Sequence, residues 1–122
     1  MAAVLRSRPV WRAALQSDLE ARVLAEVERQ RLEPPIPQWP MRLPSGRNIR
    51  IDFAWPAQRV ALEVDHPFWH AAVEHWRGDR SRDRELMRLG WAVPRITDLE
   101  IAADLTGPVQ DAAALLATRR AA

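Results

Sequence analysis

The stretch Ile51-Asp52-Phe53-Ala54-Trp55-Pro56, followed after a short turn by Val60-Ala61-Leu62-Glu63-Val64-Asp65, decides the fold. Ile49, Ile51, Phe53 and Trp55 alternate with Asn48, Arg50, Asp52 and Ala54, the period of a half-buried strand. In the second run Val60, Leu62 and Val64 share one face and Ala61, Glu63 and Asp65 the other, because successive strand side chains point oppositely. With Pro56-Ala57-Gln58 as the turn, the two runs predict a hairpin. Glu63 and Asp65 then lie on one face, and pairing can bring Asp52 alongside. Carboxylates grouped this way suit a hard divalent cation such as Mg2+, and such an ion beside a phosphodiester can activate water. A solvated polar face, with Asp52 pairing with Arg50, Arg47 or Arg59, produces the same alternation. The strands alone leave both readings open.

Upstream, Ser17-Asp18-Leu19-Glu20 fits a capping box, with Ser17 as N-cap. Leu19, Val23, Leu24 and Val27 then recur at helical spacing, which predicts a helix to about Leu32, stopped before Pro34-Pro35. A strand follows near Gln38 to Leu43, and Pro40 confines it to an edge or splits it. Pro44-Ser45-Gly46-Arg47 is a turn. Downstream, His66-Pro67 ends the second run, and a helical segment over about Ala71 to Trp76 is broken at Gly78. Asp79 to Leu89 reads as a helix with Leu86 and Leu89 toward the core and Gly90 as its stop. Trp91 to Ile96 is a short strand weakened by Pro94, Thr97 or Asp98 can cap a short helical turn, and Pro108 can open a last helix ending near Arg119-Arg120.

Three further features carry possible chemistry. Phe68-Trp69-His70 places a histidine just beyond the acidic strand, where it can serve as general acid or base or simply be propped by Trp69. Glu20 is explained by the capping box, yet shares a helical line with Leu24 and Val27 and can also lean toward the open end of the sheet. Arg80, Arg84 and Arg88 recur every four residues as one positive stripe able to follow phosphates. Asp79, Asp83 and Glu85 are interleaved with that stripe, so an intrahelical salt-bridge network is the other account. Trp39, Trp55 and Trp91 sit in strand patterns and belong to the core.

A chain of 122 residues with 48% hydrophobic content corresponds to one domain with a modest core. Its net charge of +2 says little about partners. All 18 basic residues are Arg; Arg suits bidentate contact with phosphate, but a GC-rich genome yields the same bias, so only the placement of the arginines counts. The absence of Cys excludes disulfides, thiolate nucleophiles and Cys-ligated zinc. No apolar run approaches the roughly 20 residues of a membrane span, and Met1 to Val10 does not read as a signal peptide. A cytoplasmic protein without a membrane partner is expected.

Taken in order, Ser17-x-Leu-Glu20, Asp52-Phe53-Ala54-Trp55-Pro56, Glu63-Val64-Asp65, Phe68-Trp69-His70, Asp79 to Leu86 and Gly90-Trp91-Ala92-Val93 form a series. It resembles the very short patch repair endonuclease-like group of the PD-(D/E)xK nuclease superfamily, and within it a small, uncharacterised bacterial branch. The resemblance covers about residues 17 to 100 and rests on order and spacing rather than on any single motif. It implies an α/β fold: a restriction endonuclease-like core with a mixed, mainly antiparallel sheet of about four strands flanked by helices. Residues 1–122 would form a single endonuclease-like domain, with a C-terminal helix at about 108–120.

The activity implied is that of a metal-dependent endonuclease hydrolysing phosphodiester bonds in DNA, with RNA as the other candidate substrate and Mg2+ or Mn2+ as cofactor. Asp52 matches the first acid and metal ligand, Glu63 the second, and Asp65 falls where a Lys is common and would be a further ligand. His70 matches the histidine that assists hydrolysis, and Glu20 the N-terminal helix acid placed near the metal. Arg80, Arg84 and Arg88 would contact phosphates. The chain departs from the pattern in lacking the Lys, in carrying His66-Pro67 where Gly is common, and in lacking the Cys and His residues of a structural zinc site. A catalytically idle nuclease fold that binds nucleic acid or a protein partner is the alternative these departures sustain.

Overall fold

The computed structural model describes residues 10–65 and 73–121, with side chains over 17–65 and 80–120. Along the chain run α1 (Val10–Arg29), β1 (Ile36–Arg42), β2 (Asn48–Trp55), β3 (Val60–Asp65), α2 (Val73–Arg88), β4 (Arg95–Thr97), α3 (Asp98–Ala103) and α4 (Thr106–Ala121). The four strands form one sheet in the order β1-β2-β3-β4. The β1–β2 and β2–β3 pairs are antiparallel, while β3 and β4 are parallel and joined through α2. This is an α/β fold with a mixed, mainly antiparallel sheet flanked by helices, as expected, and consistent with a restriction endonuclease-like core.

Burial divides the molecule into two apolar layers, one on each face of the sheet. On one face Phe53, Trp55, Val60, Leu62, Val64 and Ile96 pack against Leu19, Val23 and Val27 of α1, Ile101 of α3, and Val109, Ala112 and Leu116 of α4. On the other face Ile49, Ile51, Ala54 and Ala61 pack against Leu86 of α2, Leu43 and Trp91. β3 is covered on both sides, as befits a central strand whose parallel neighbour arrives through a crossover helix. The proline-bearing strand β1 is at the edge, where Pro37 and Pro40 cost the ladder least.

Several sequence expectations are corrected. α1 begins at Val10, so Ser17 lies inside the helix and caps nothing; the preceding Ala13-Ala14-Leu15-Gln16 are good helix formers, and propensity carries the helix through. α1 ends at Arg29 rather than at Leu32. There Arg31 adopts φ 57°, its N–H donates to the Glu28 carbonyl and the Leu32 N–H to that of Val27, a Schellman stop that folds Leu32 back onto the core. α2 runs without interruption through Gly78; glycine costs about 1 kcal/mol against Ala inside a helix, which the rest of the helix absorbs.

The alternation of β2 also does not hold along its full length. Ile49 and Ile51 face one apolar layer, but Phe53 and Trp55 face the other, so the strand changes face across Asp52. Opposite Asp52 in the register lies Gln38 of β1, whose backbone is left-handed at φ 51°. Both strands are distorted at the level where the acidic residues stand.

The end of α2 follows expectation. Gly90 takes φ 86°, its N–H donates to the Met87 carbonyl and the Trp91 N–H to that of Leu86. Leu86 and Trp91 then pack in the same layer, with the Trp91 ring 5.5 Å from that of Trp39. Thr97 caps α3 through a full capping box with Glu100.

Candidate active site

Strands β2 and β3 pair at Phe53–Leu62, Ala54–Ala61 and Trp55–Val60, and no further. Beyond Phe53 the ladder gives way to side chains. The Val64 N–H donates to Asp52 Oδ2 at 2.8 Å, and the Asp52 N–H donates to Glu63 Oε2 at 3.0 Å. Each acid thus satisfies a backbone amide on the other strand where the sheet forks. A buried amide without a partner is costly, so these bonds fix both carboxylates at the fork.

Glu63 is only 4% exposed. Its Oε1 accepts from Arg82 Nη2 of α2, and the Arg82 side chain is buried with it. The same Nη2 donates to the Arg50 carbonyl at 3.0 Å, and Arg82 also reaches Asp83. Asp83 in turn receives Nη2 of Arg95 at 2.8 Å on both its oxygens. A polar seam therefore runs from the fork, under α2, to β4.

Burial pushes the Asp52 carboxyl above its usual range, against the Val64 hydrogen bond, and the charge of Glu20 pushes the same way. Burial and then the charge of Asp52 push Glu63 up to about 7, outweighing the opposing pull of Arg82. Burial alone would lower Arg95; the bonds and charge of Asp83, with the charges of Glu63 and Asp65, hold it above its ordinary value. Like charges crowded into a desolvated fork are a common arrangement at sites that handle a cation or a proton.

The structure brings Asp52 and Glu63 together and seats Glu20 beside Asp52, where Gln38 Nε2 donates to Glu20 Oε1 at 2.9 Å. With Ser17 inside the helix, the capping role of Glu20 lapses and the site-facing one remains. Asp65, at the end of β3, is paired in register with Thr97, and its charge acts on Arg95. His70 lies outside the described residues. Arg80, Arg84 and Arg88 are exposed on α2. Two of the acids interleaved with them are engaged elsewhere: Asp83 with Arg95, and Glu85 with the N–H and Oγ of Ser45 at 3.0 and 2.9 Å.

The solvated-face account fails for Glu63, which is buried, and is weakened for Asp52, which is half-buried; both carboxylates are bonded to backbone amides. Sequence reasoning does not find Arg82 or Arg95. Arg82 precedes the core residue Leu86 by four and so shares its helical face; that spacing is the available signal. For Arg95 there is none, because its neighbour Glu63 is set by a parallel pairing across α2.

Among the described residues no three His, Cys, Asp or Glu side chains are grouped as a complete metal cage. A Mg2+ ion is usually held by one or two carboxylates with waters and substrate phosphate completing its shell. Glu63, buried, and Asp52, half-buried beside it, fit that more open arrangement.

No family model matches the chain, and no solved structure does. It is 39% identical over 67 residues to an uncharacterized protein of Mycobacterium tuberculosis, found in two strains, covering 52% of this chain and 25% of that protein. It is 27% identical over 89 residues to the type II nicking enzyme V.NaeI of Lentzea aerocolonigenes, covering 58% of this chain and 54% of the enzyme. The chain thus spans about a quarter of the mycobacterial relatives and about half of the nicking enzyme. Among the described residues no helix is long and apolar enough to cross a membrane.

Proposed function

We propose that this chain is a metal-dependent endonuclease that hydrolyses phosphodiester bonds in DNA, of the very short patch repair-like kind. The observation that carries the reading is the meeting of Asp52 and Glu63 at the fork between β2 and β3, where each binds the other strand's amide in a desolvated setting. The distant similarity to a nicking enzyme supports it.

Asp52 and Glu63 would hold Mg2+ or Mn2+, with waters and substrate phosphate completing the shell, since among the described residues Asp65 forms no three-acid group with them; when bound, such an ion polarises the phosphate and lowers the pKa of water. The chain's own residues do the rest. Arg82 and the Asp52 amide hold the two oxygens of Glu63, and Glu20 keeps negative charge beside Asp52. His70 would assist proton transfer to or from water. Attack of a water oxygen on phosphorus breaks the P–O3′ bond, the 3′ oxygen takes a proton, and the product carries a 5′-phosphate. Arg80, Arg84 and Arg88 would hold flanking phosphates.

The direct test is nicking of supercoiled plasmid by the purified chain in Mg2+ or Mn2+, against an EDTA control. Asp52→Ala and Glu63→Ala are each expected to lower the rate by a hundredfold or more, on the order of 3 kcal/mol of barrier. Cleavage that survives both substitutions rules out this site.

One observation favours a second reading, a nuclease fold that binds without cutting: both oxygens of Glu63 already have protein donors. Its signature is metal-independent DNA binding with no nicking in either metal.

A further inference from the structure

We infer that the outer face of the β1–β2 hairpin, centred on Arg42, Asn48 and Arg50, is the track on which a DNA backbone lies as it enters the fork. The inference rests on the nuclease reading of that fork and names a surface for its substrate that the sequence had placed on α2 alone.

Pro40, Met41, Arg42, Asn48, Ile49 and Arg50 line a groove of about 430 Å³. The register sets Arg42 opposite Asn48 and Pro40 opposite Arg50, so the groove is the cross-strand surface of the hairpin itself. The inward residues Ile49, Trp39 and Met41 pack under α2, and Arg42, Asn48 and Arg50 are exposed. Two guanidiniums and one carboxamide line this surface with no acid among them. Among the described residues neither the Arg42 nor the Arg50 guanidinium meets a carboxylate.

An array of cations and amide donors without a protein anion to neutralise it complements a polyanion. A phosphodiester backbone is the polyanion whose hydrolysis the fork supports.

Position ties the track to the site. Arg50 precedes Asp52 by two residues, about 7 Å along an extended strand. Its carbonyl receives Arg82, the residue that also holds Glu63. At the far end of the hairpin the Ser45 N–H and Oγ bind the two oxygens of Glu85 on α2. The hairpin is pinned at its tip and at its base, so its basic face is presented at a set distance from the acids rather than on a loose arm. Ordering that surface on DNA binding therefore costs little conformational entropy.

The test measures binding apart from cleavage. The full chain is titrated into a fluorescein-labelled DNA duplex in EDTA, and anisotropy is followed between roughly 50 and 200 mM salt. Arg42→Ala with Arg50→Ala is expected to weaken binding on the order of tenfold and to make the log–log salt slope shallower by about 2, one for each phosphate left without its arginine. Arg42→Lys with Arg50→Lys should retain most of the affinity. Because both side chains are exposed and meet no carboxylate among the described residues, the variants should melt at the wild-type temperature.

Wild-type affinity and slope in the double Ala variant would overturn the inference, as would an effect confined to Arg84→Ala with Arg88→Ala. Tighter binding of an RNA duplex would overturn the choice of DNA. A wild-type chain that binds through the hairpin but nicks in neither metal leaves the track standing and defeats the hydrolytic reading instead.

Discussion

Asp52 and Glu63 are held in place by the same bonds that make them costly. Each gives an oxygen to an amide of the opposite strand, and each is deprived of water and set near the other's charge. Glu63, pushed up to about 7 from an ordinary 4.5, keeps in the folded state a proton that the unfolded chain releases. Between those two values the native state binds more protons than the unfolded one, so this residue makes stability fall as pH rises through the window. Its contribution is on the order of 1–3 kcal/mol across the window. Glu63→Gln cannot titrate, and urea midpoints taken between about pH 5 and 7.5 should show a flatter pH dependence than wild type. Asp52 is raised as well and adds slope of the same sign, so the flattening will be partial. An unchanged slope would mean that Arg82 keeps Glu63 ionised throughout.

At the level of the elements, the site is possible because two helices can approach a sheet that parts. Ala54 and Ala61 are cross-strand partners, both fully buried beneath Leu86 and Trp91. Their small side chains let α2 sit close enough for Arg82 to reach Glu63. Ala61→Leu should overpack this layer and cost roughly 1–3 kcal/mol, read as a lowered urea midpoint at constant slope. It should also lower nicking, since lifting α2 withdraws Arg82. The C-terminal end of α2 and the cap of α3 are legible in sequence because Gly90 and Thr97 act through local backbone geometry. The start of α1 is not. The Ser17-x-x-Glu20 pattern is four residues long and is satisfied equally well inside a helix, where it carries no capping meaning.

For the whole molecule, the acids at the fork are backed by the paired charges of the seam beneath α2 and adjoin the basic face of the hairpin. A divalent cation seated at Asp52 and Glu63 would offset the desolvation that raises both and the Asp52 charge that raises Glu63 further. Binding to the native state alone stabilises it, so Mg2+ at about ten times its dissociation constant should raise the melting temperature by a few degrees, about 1.4 kcal/mol of linkage. The rise should be greater at pH 8 than at pH 6, where protons compete for the same oxygens, and should vanish in Asp52→Asn. Equal shifts in wild type and variant would place the ion elsewhere on the surface.

The hairpin, the core placement of Trp55 and Trp91, an edge position as one of two outcomes for the proline-bearing strand, and the possibility that Asp52 meets Glu63 are legible in the sequence. These follow from period-two alternation, turn residues and glycine stops, all of which act over a few residues. Only the tertiary structure decided that β2 changes face at Asp52, that the ladder opens there, and that Arg82 and Arg95 flank Glu63 from α2 and β4. Those outcomes depend on which layers compete for the same strand and on a parallel pairing reached across a helix. Which layer a strand faces once it bends, and a register set across a helix, are properties of the packed chain, and no local pattern encodes them.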